Sequence, residues 1–396
     1  MEGWIEMKFL RFVVLFFVII LFLPGCWSSR EIEELALNVG VAIDPGDEQI
    51  PANQLDEKRD TYSKENILSV TYQYLTHPSD AQNQGSNQAR FENTTVVGDL
   101  NHQMLREIAL KKGDPIMLHH TKVIVINGQL LKETSLEEIL DYFLRDNEMR
   151  PSCLLLISSV PAYQTLESAS IDVVPAFQLI DISDNVYRTN KIISPVSLAK
   201  VEGKMFSGFS YLLQNIYAMN GNRKYSGAAV IKGKTNKLVG SLNEDEVVGI
   251  NLISGEAKGG VFKSQDEEGK AISYEIKELK SRIIPVVKGD DISFEIKLKS
   301  KGRISEDWFD QQSSSDKFLK KAKLIIRNEI GKAIESTLSK TQKEFKVDVI
   351  GCGKELSIKY PKVWDSVKDN WDERFAELPI TYNINLEITD YGTKVY

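Results

Sequence analysis

The chain is poor in the residues that most often carry chemistry, with 4 histidines and 3 cysteines among 396 residues. The histidines are His77, His102, His119 and His120. An adjacent pair on a strand projects to opposite faces, so 119–120 is poor geometry for one metal ion. No CxxC pair occurs, which removes the usual zinc and dithiol redox motifs. The glycine patterns of a phosphate loop, a dinucleotide turn and a GxSxG elbow are also absent. Gly351-Cys352-Gly353 places a thiol between glycines, but no histidine follows it to act as base. Those glycines are expected to shape a bulge or turn. The paired carboxylates Glu33-Glu34, Glu137-Glu138 and Glu267-Glu268 read as caps and solvated helix faces in a chain with 56 acidic residues. No catalytic residue, cofactor or metal ligand is therefore expected.

Positive charge is in the minority too: 49 Lys and Arg leave a formal net charge of −7. This argues against a nucleic-acid partner, which would want a basic face, and against adhesion to anionic lipid by charge. With 42% hydrophobic and 27% charged residues the composition is that of a folded globular protein. At roughly 100–200 residues per domain, the length suggests two or three domains.

What the chain does have is a greasy start that stops at a cysteine. Phe12 to Leu23 is an unbroken apolar run behind Lys8 and Arg11. It is shorter than the roughly 20 residues a spanning helix needs, and it has the layout of a secretory signal peptide. Glu2 and Glu6 are unusual there, and Met7 opens a cleaner leader, so both starts stay open. Leu23-Pro24-Gly25-Cys26 resembles a bacterial lipobox, with Pro24 in place of the usual Ala or Ser. That resemblance implies removal of residues 1–25 as a lipoprotein signal peptide. Cys26 would then carry an S-diacylglycerol and an N-acyl chain (palmitate is the expected acyl group), enough apolar chain to hold a protein on a bilayer. Cys153 and Cys352 remain. Pairing is open in an exported protein, but Cys153 lies in the apolar run CLLLI and reads as a buried free thiol.

Periodicity then divides the chain. An N-terminal α/β domain over 26–190 opens with a helix-then-strand pattern at 31–41 and an alternating, half-buried strand at 67–78. A polar loop at 79–95 follows, then a helix at 100–113 with Leu100, Met104, Ile108 and Leu110 on one face. A β-branched strand at 122–128 precedes a helix opened by the capping box Ser135/Glu138, and a fully buried strand covers 152–160. A small central α+β domain, 191–265, is read as a helix from Ser194-Pro195 to about Tyr217. A hairpin and a second capping box, Asn243/Glu246, follow it. The stretch near 255–271 reads as a linker. The C-terminal domain, 270–396, is read as an antiparallel sheet with a helix on one side. Its parts are a strand at 291–302, a helix at 316–345 with an apolar stripe, and strands at VDVIG (347–351) and PITYNINLEIT (379–389). Trp364, Trp371 and Phe375 are spaced to share one helix face as core. The fold class expected is α+β with α/β character: three tandem mixed domains, each a largely antiparallel sheet packed by helices.

Four blocks of sequence resemble the spore germination lipoproteins of the Ger(x)C family, the C subunits of nutrient germinant receptors. The first is Cys26, Trp27, Arg30, Glu31, Ile32, Ile43 and Asp44, with Ser28 where the family often has Asp. The second is 120–131 with 140–151, and the third is 225–255. The last, 345–392, holds Gly351, Gly353, Pro361, Trp364, Trp371, Phe375 and Gly392. The resemblance implies a non-enzymatic subunit of three domains, needed for the initiation of germination. It would be tethered through Cys26 to the outer face of the spore inner membrane, beside an A and a B membrane subunit. The competing reading is a lipid-anchored extracytoplasmic solute-binding protein, which would want a two-lobed, parallel-sheet architecture with a ligand cleft.

Overall fold

The computed structural model describes residues 35–46, 67–76, 89–110, 113, 115–308 and 315–390, with Arg11 as an isolated position. The signal peptide apart from Arg11, the lipobox and Trp27, Arg30 and Glu31 lie outside the described residues. From Ala36 onward the chain forms one compact unit, mixed α/β with two sheets in which antiparallel pairs predominate. No helix among the described residues is long and apolar enough to cross a membrane.

The first sheet is built from β1 (Ala36–Pro45), β2 (Leu68–Leu75), β3 (Phe91–Gly98), the short β4 (Ile116–Met117), β5 (Val123–Asn127) and β6 (Leu154–Ser158). It continues into β7 (Tyr211–Met219), β8 (Asn222–Lys232) and β9 (Lys237–Leu242). Its order is β3-β2-β1-β5-β6-β7-β8-β9, with β4 on β1. The β1-β5-β6 centre is parallel and the two flanks are antiparallel. Parallel neighbours need crossover helices on their faces. They are α1 (Asn101–Ile108), α2 (Leu130–Glu133), α3 (Leu136–Arg145), α4 (Pro175–Ser183) and α5 (Leu198–Ser207). Both faces are thereby covered, so β2 is buried along nearly its whole length rather than half-buried as its alternation suggests.

Several sequence expectations are corrected. The helix expected to run to Tyr217 ends at Ser207, because Gly208 takes φ +71 and closes it in the left-handed region; residues 211–219 are β7. In the helix at 101–108, Met104 and Ile108 are buried, but Leu100 and Leu110 are exposed because the helix excludes both. The polar stretch 79–95 already contains the start of β3, and the linker near 255–271 contains β10 (Val261–Gln265).

The helix α6 (Glu244–Ser254) is apolar nearly all round, as a helix sandwiched between sheets should be. It opens with the Asn243/Glu246 capping box, and Ser135/Glu138 opens α3 in the same way. β8 shows how the two cores share a strand. Ala229 and Ile231 face the first core, while Ala228 and Val230 face the core of the second sheet.

That second sheet is β10-β11-β12-β13, with β11 (Ala271–Lys288), β12 (Asp291–Asp307) and β13 (Ile380–Asp390). The long helix α7 (Ser315–Ser339) lays Ala322, Ile326, Ile330, Ile334 and Leu338 into the core at four-residue spacing. Full burial of each of the larger side chains contributes about 1.5–3 kcal/mol. At Gly249 a Cβ would lie 2.0 Å from Thr337 Oγ1 and 2.4 Å from the Ala333 carbonyl, so α6 and α7 touch through backbone there. β13 pairs with β12 in parallel, not antiparallel. The connection explains this: α7, a π-helical turn (Lys340–Phe345), α8 (Cys352–Lys359), α9 (Pro361–Val367) and α10 (Trp371–Phe375) form a crossover long enough to return the chain to the same end.

Candidate functional site

Residues 347–351, expected as a strand, are instead an irregular turn organised by one carboxylate. Lys346 at φ +54 ends the π-helical turn, and Gly351 at φ +96 starts α8. Between them Asp348 is buried. Its Oδ1 accepts the backbone N–H groups of Gly351 (2.9 Å) and Cys352 (3.1 Å), and its Oδ2 accepts that of Gly353 (2.6 Å). The Trp371 indole N–H also donates to Oδ2, at 2.9 Å. The carboxylate thus satisfies free donors at a helix start that has no intrahelical partners for them. Burial still pushes its pKa up, against the pull of these four donors.

Aromatic rings close the turn. Trp364 of α9 and Trp371 of α10 meet edge to face at 5.2 Å between centroids. Phe209, just before β7, lies on Trp364 at 5.3 Å, and Phe294 of β12 meets Trp371 at 6.2 Å. A Cβ at Gly353 would fall 2.7 Å from the Trp371 indole nitrogen, so only glycine fits. Gly351, Gly353, Trp364 and Trp371 are therefore brought together. The two tryptophans come from separate short helices rather than from one helix face. Asp348, Phe209 and Phe294 complete the hub and were missed; the one local signal was an aspartate three residues ahead of a Gly-x-Gly. The Cys352 thiol is fully buried, and desolvation together with the charges of Asp348 and Glu355 pushes its pKa well up. It is held as the thiol, a weak nucleophile.

A cleft of about 700 Å³ opens beside this turn, between it, α5 and α6. Its wall includes Ile193, Leu212, Ile250 and Ile350, and lysines 200, 204 and 354 also line it. A second groove of about 780 Å³ runs between α7 and the edge of β13. Four consecutive residues, Tyr382 to Asn385, line it. Successive side chains alternate across a strand, so the backbone edge itself faces this groove.

At the other end of the fold, Asp44 closes β1. It accepts from Asn127 Nδ2 (2.8 Å) and from the backbone N–H groups of Ala162 (2.6 Å) and Tyr163 (2.9 Å). This ties the ends of β1 and β5 to the turn after β6. His119 and His120 sit in a 3-10 turn, not a strand, and His119 faces Glu148 at 3.8 Å. No group of three or more metal-ligating side chains is found among the described residues.

This two-sheet α/β fold is that of a known class of spore proteins. Residues 28–216 match the family described as spore germination protein N-terminal domain, and residues 226–392 match spore germination B3/GerAC like, C-terminal. The chain belongs to this GerAC-like spore germination family. It is similar to spore germination protein YndF of Bacillus subtilis (strain 168), 39% identical over 390 residues and 96% of each chain. It is also similar to spore germination protein B3 of the same organism, 30% identical over 97% of this chain and 98% of that one. The crystal structure of the GerBC protein superposes with a TM-score of 0.60 at 26% identity, covering 83% of this chain and 95% of that one.

Proposed function

We propose that this protein is a lipid-anchored accessory subunit of a nutrient germinant receptor, needed to initiate spore germination and acting through protein contacts rather than catalysis. Its partners are the receptor's A and B membrane subunits. It sits on the outer face of the spore inner membrane, exported and tethered through Cys26 by S-diacylglycerol and N-acyl chains. The observation that carries this reading is end-to-end similarity to spore germination proteins, with both family matches in order along one chain. The hub residues of the last block support it, since they meet in a buried structural turn and their one thiol is buried.

We also propose that the chain divides functionally at 26–190, 191–265 and 270–396. Strands on either side of the first boundary share only a two-residue ladder, Ile157 to Asn215 and Ser158 to Ile216. The central part is nevertheless welded to both neighbours, because its strands face one core on each side.

Replacement of the native chain by its Cys26→Ala form tests anchor and role together. The variant is expected to leave the detergent phase on phase partition, and its spores to lose the response to at least one nutrient. A variant that stays in the detergent phase would show that Cys26 is not the anchor.

A further inference from the structure

The cleft beside the hub holds a cation, Lys204, that has no hydrogen-bond or ion-pair partner among the described residues. Lys204 reaches it from α5, and its side chain is half-buried. Its ammonium group makes neither a hydrogen bond nor an ion pair with any described residue, and it lies over the Tyr211 ring, 6.0 Å from the centroid. Desolvation lowers its pKa; Glu256 pulls the other way, and Lys354 and Lys200 add to the lowering. The other charges on the cleft do not answer it. Lys200 donates to the Pro195 carbonyl at 3.1 Å, and Lys354 adds positive charge. Asp348 spends both oxygens on the turn's four donors. Glu256 is exposed and makes no ion pair with Lys204.

A partly desolvated ammonium without an acceptor is unfavourable. Set over an apolar wall, it has the form of a small-molecule site: a concave, mostly apolar space of several hundred Å³ with a few polar groups that fix orientation. We propose that this cleft binds a small organic anion, a carboxylate carried on an apolar body, with Lys204 holding the carboxylate and Ile193, Leu212, Ile250 and Ile350 receiving the body. The inference stands apart from the receptor reading, and either can fail alone.

The test is isothermal titration calorimetry on the full chain in detergent micelles, with empty micelles as blank. Hexanoate is the probe, and hexan-1-ol and hexylammonium are matched controls. Hexanoate is expected to bind and the two controls to bind at least about tenfold more weakly, a difference of about 1.4 kcal/mol. Lys204→Gln should weaken hexanoate by a similar factor, while Lys204→Arg should retain it. Gly203 also lines the cleft, and a Cβ there meets nothing within 4 Å. Gly203→Leu should therefore fold normally and block binding by filling the space. Three results would overturn the proposal: no hexanoate binding up to about 10 mM, equal binding of hexan-1-ol, or binding unchanged in Lys204→Gln. Binding of an acidic peptide without hexanoate would overturn it too, by assigning the cleft to a protein side chain.

Discussion

Trp371 donates its indole N–H to the Asp348 carboxylate across 2.9 Å of buried space, joining the two ends of the α8–α10 segment. The same carboxylate holds three backbone N–H groups, so the pair is the keystone of the crossover that returns the chain to β13. Asp348→Ala strands all four donors, each at about 1–3 kcal/mol if left unsatisfied. The variant should lose more than about 3 kcal/mol of stability. Trp371→Phe keeps a ring and removes one donor, and should cost less. Urea midpoints that shift in this order at constant slope are the expected readout; a midpoint for Asp348→Ala equal to wild type would remove the hub from the account.

Cys153 and Cys352 are both free and buried, and burial raises the pKa of each thiol. Neither should react with a thiol reagent in the native protein, and both should react once it is denatured. A native intramolecular disulfide, seen by mass after alkylation without reductant, would contradict this.

Glu244 opens α6 and is bridged by Lys224 and by Lys191, the latter at 3.4 Å. The Lys224 hydrogen bond, with the attraction of both lysines, holds its pKa below the ordinary value of 4.5. A depressed carboxylate contributes stability above its unfolded pKa and loses it as pH falls through its folded one. The stability gap between wild type and Glu244→Gln should therefore be constant above pH 4.5 and close below it. For a partly solvated pair that gap is about 0–1 kcal/mol. A gap that widens on acidification would reverse the assignment.

Because the central strands face a core on each side, the chain from Ala36 onward should unfold as one cooperative body despite its three-part sequence pattern. Far-ultraviolet circular dichroism and tryptophan fluorescence should give coincident urea transitions. Separate transitions would mean that the shared cores do not couple the parts.

The sequence made the local features visible. Both capping boxes, the buried strand at 154–158 and the stripe from Ala322 to Leu338 are set by neighbours a few residues away. What stayed hidden depends on contacts made far along the chain. VDVIG alternates as a strand would, yet Asp348 uses its carboxylate on a turn and on an indole 23 residues away. The direction of β13 is fixed by the crossover before it, which no pattern inside the strand encodes. Phe209 reaches the hub across more than 150 positions to Trp364. Within the site, the glycines and tryptophans were legible as a family pattern, while the carboxylate that binds them together appeared only in three dimensions.

The most direct test of the central claim is in-frame deletion of the gene, with germination of the purified spores followed by loss of refractility across a panel of single nutrients. The account predicts normal growth and sporulation, with failure of the response to at least one nutrient and recovery when the wild-type chain is restored. Normal germination with every nutrient, in spores where no relative substitutes for the lost protein, would contradict it.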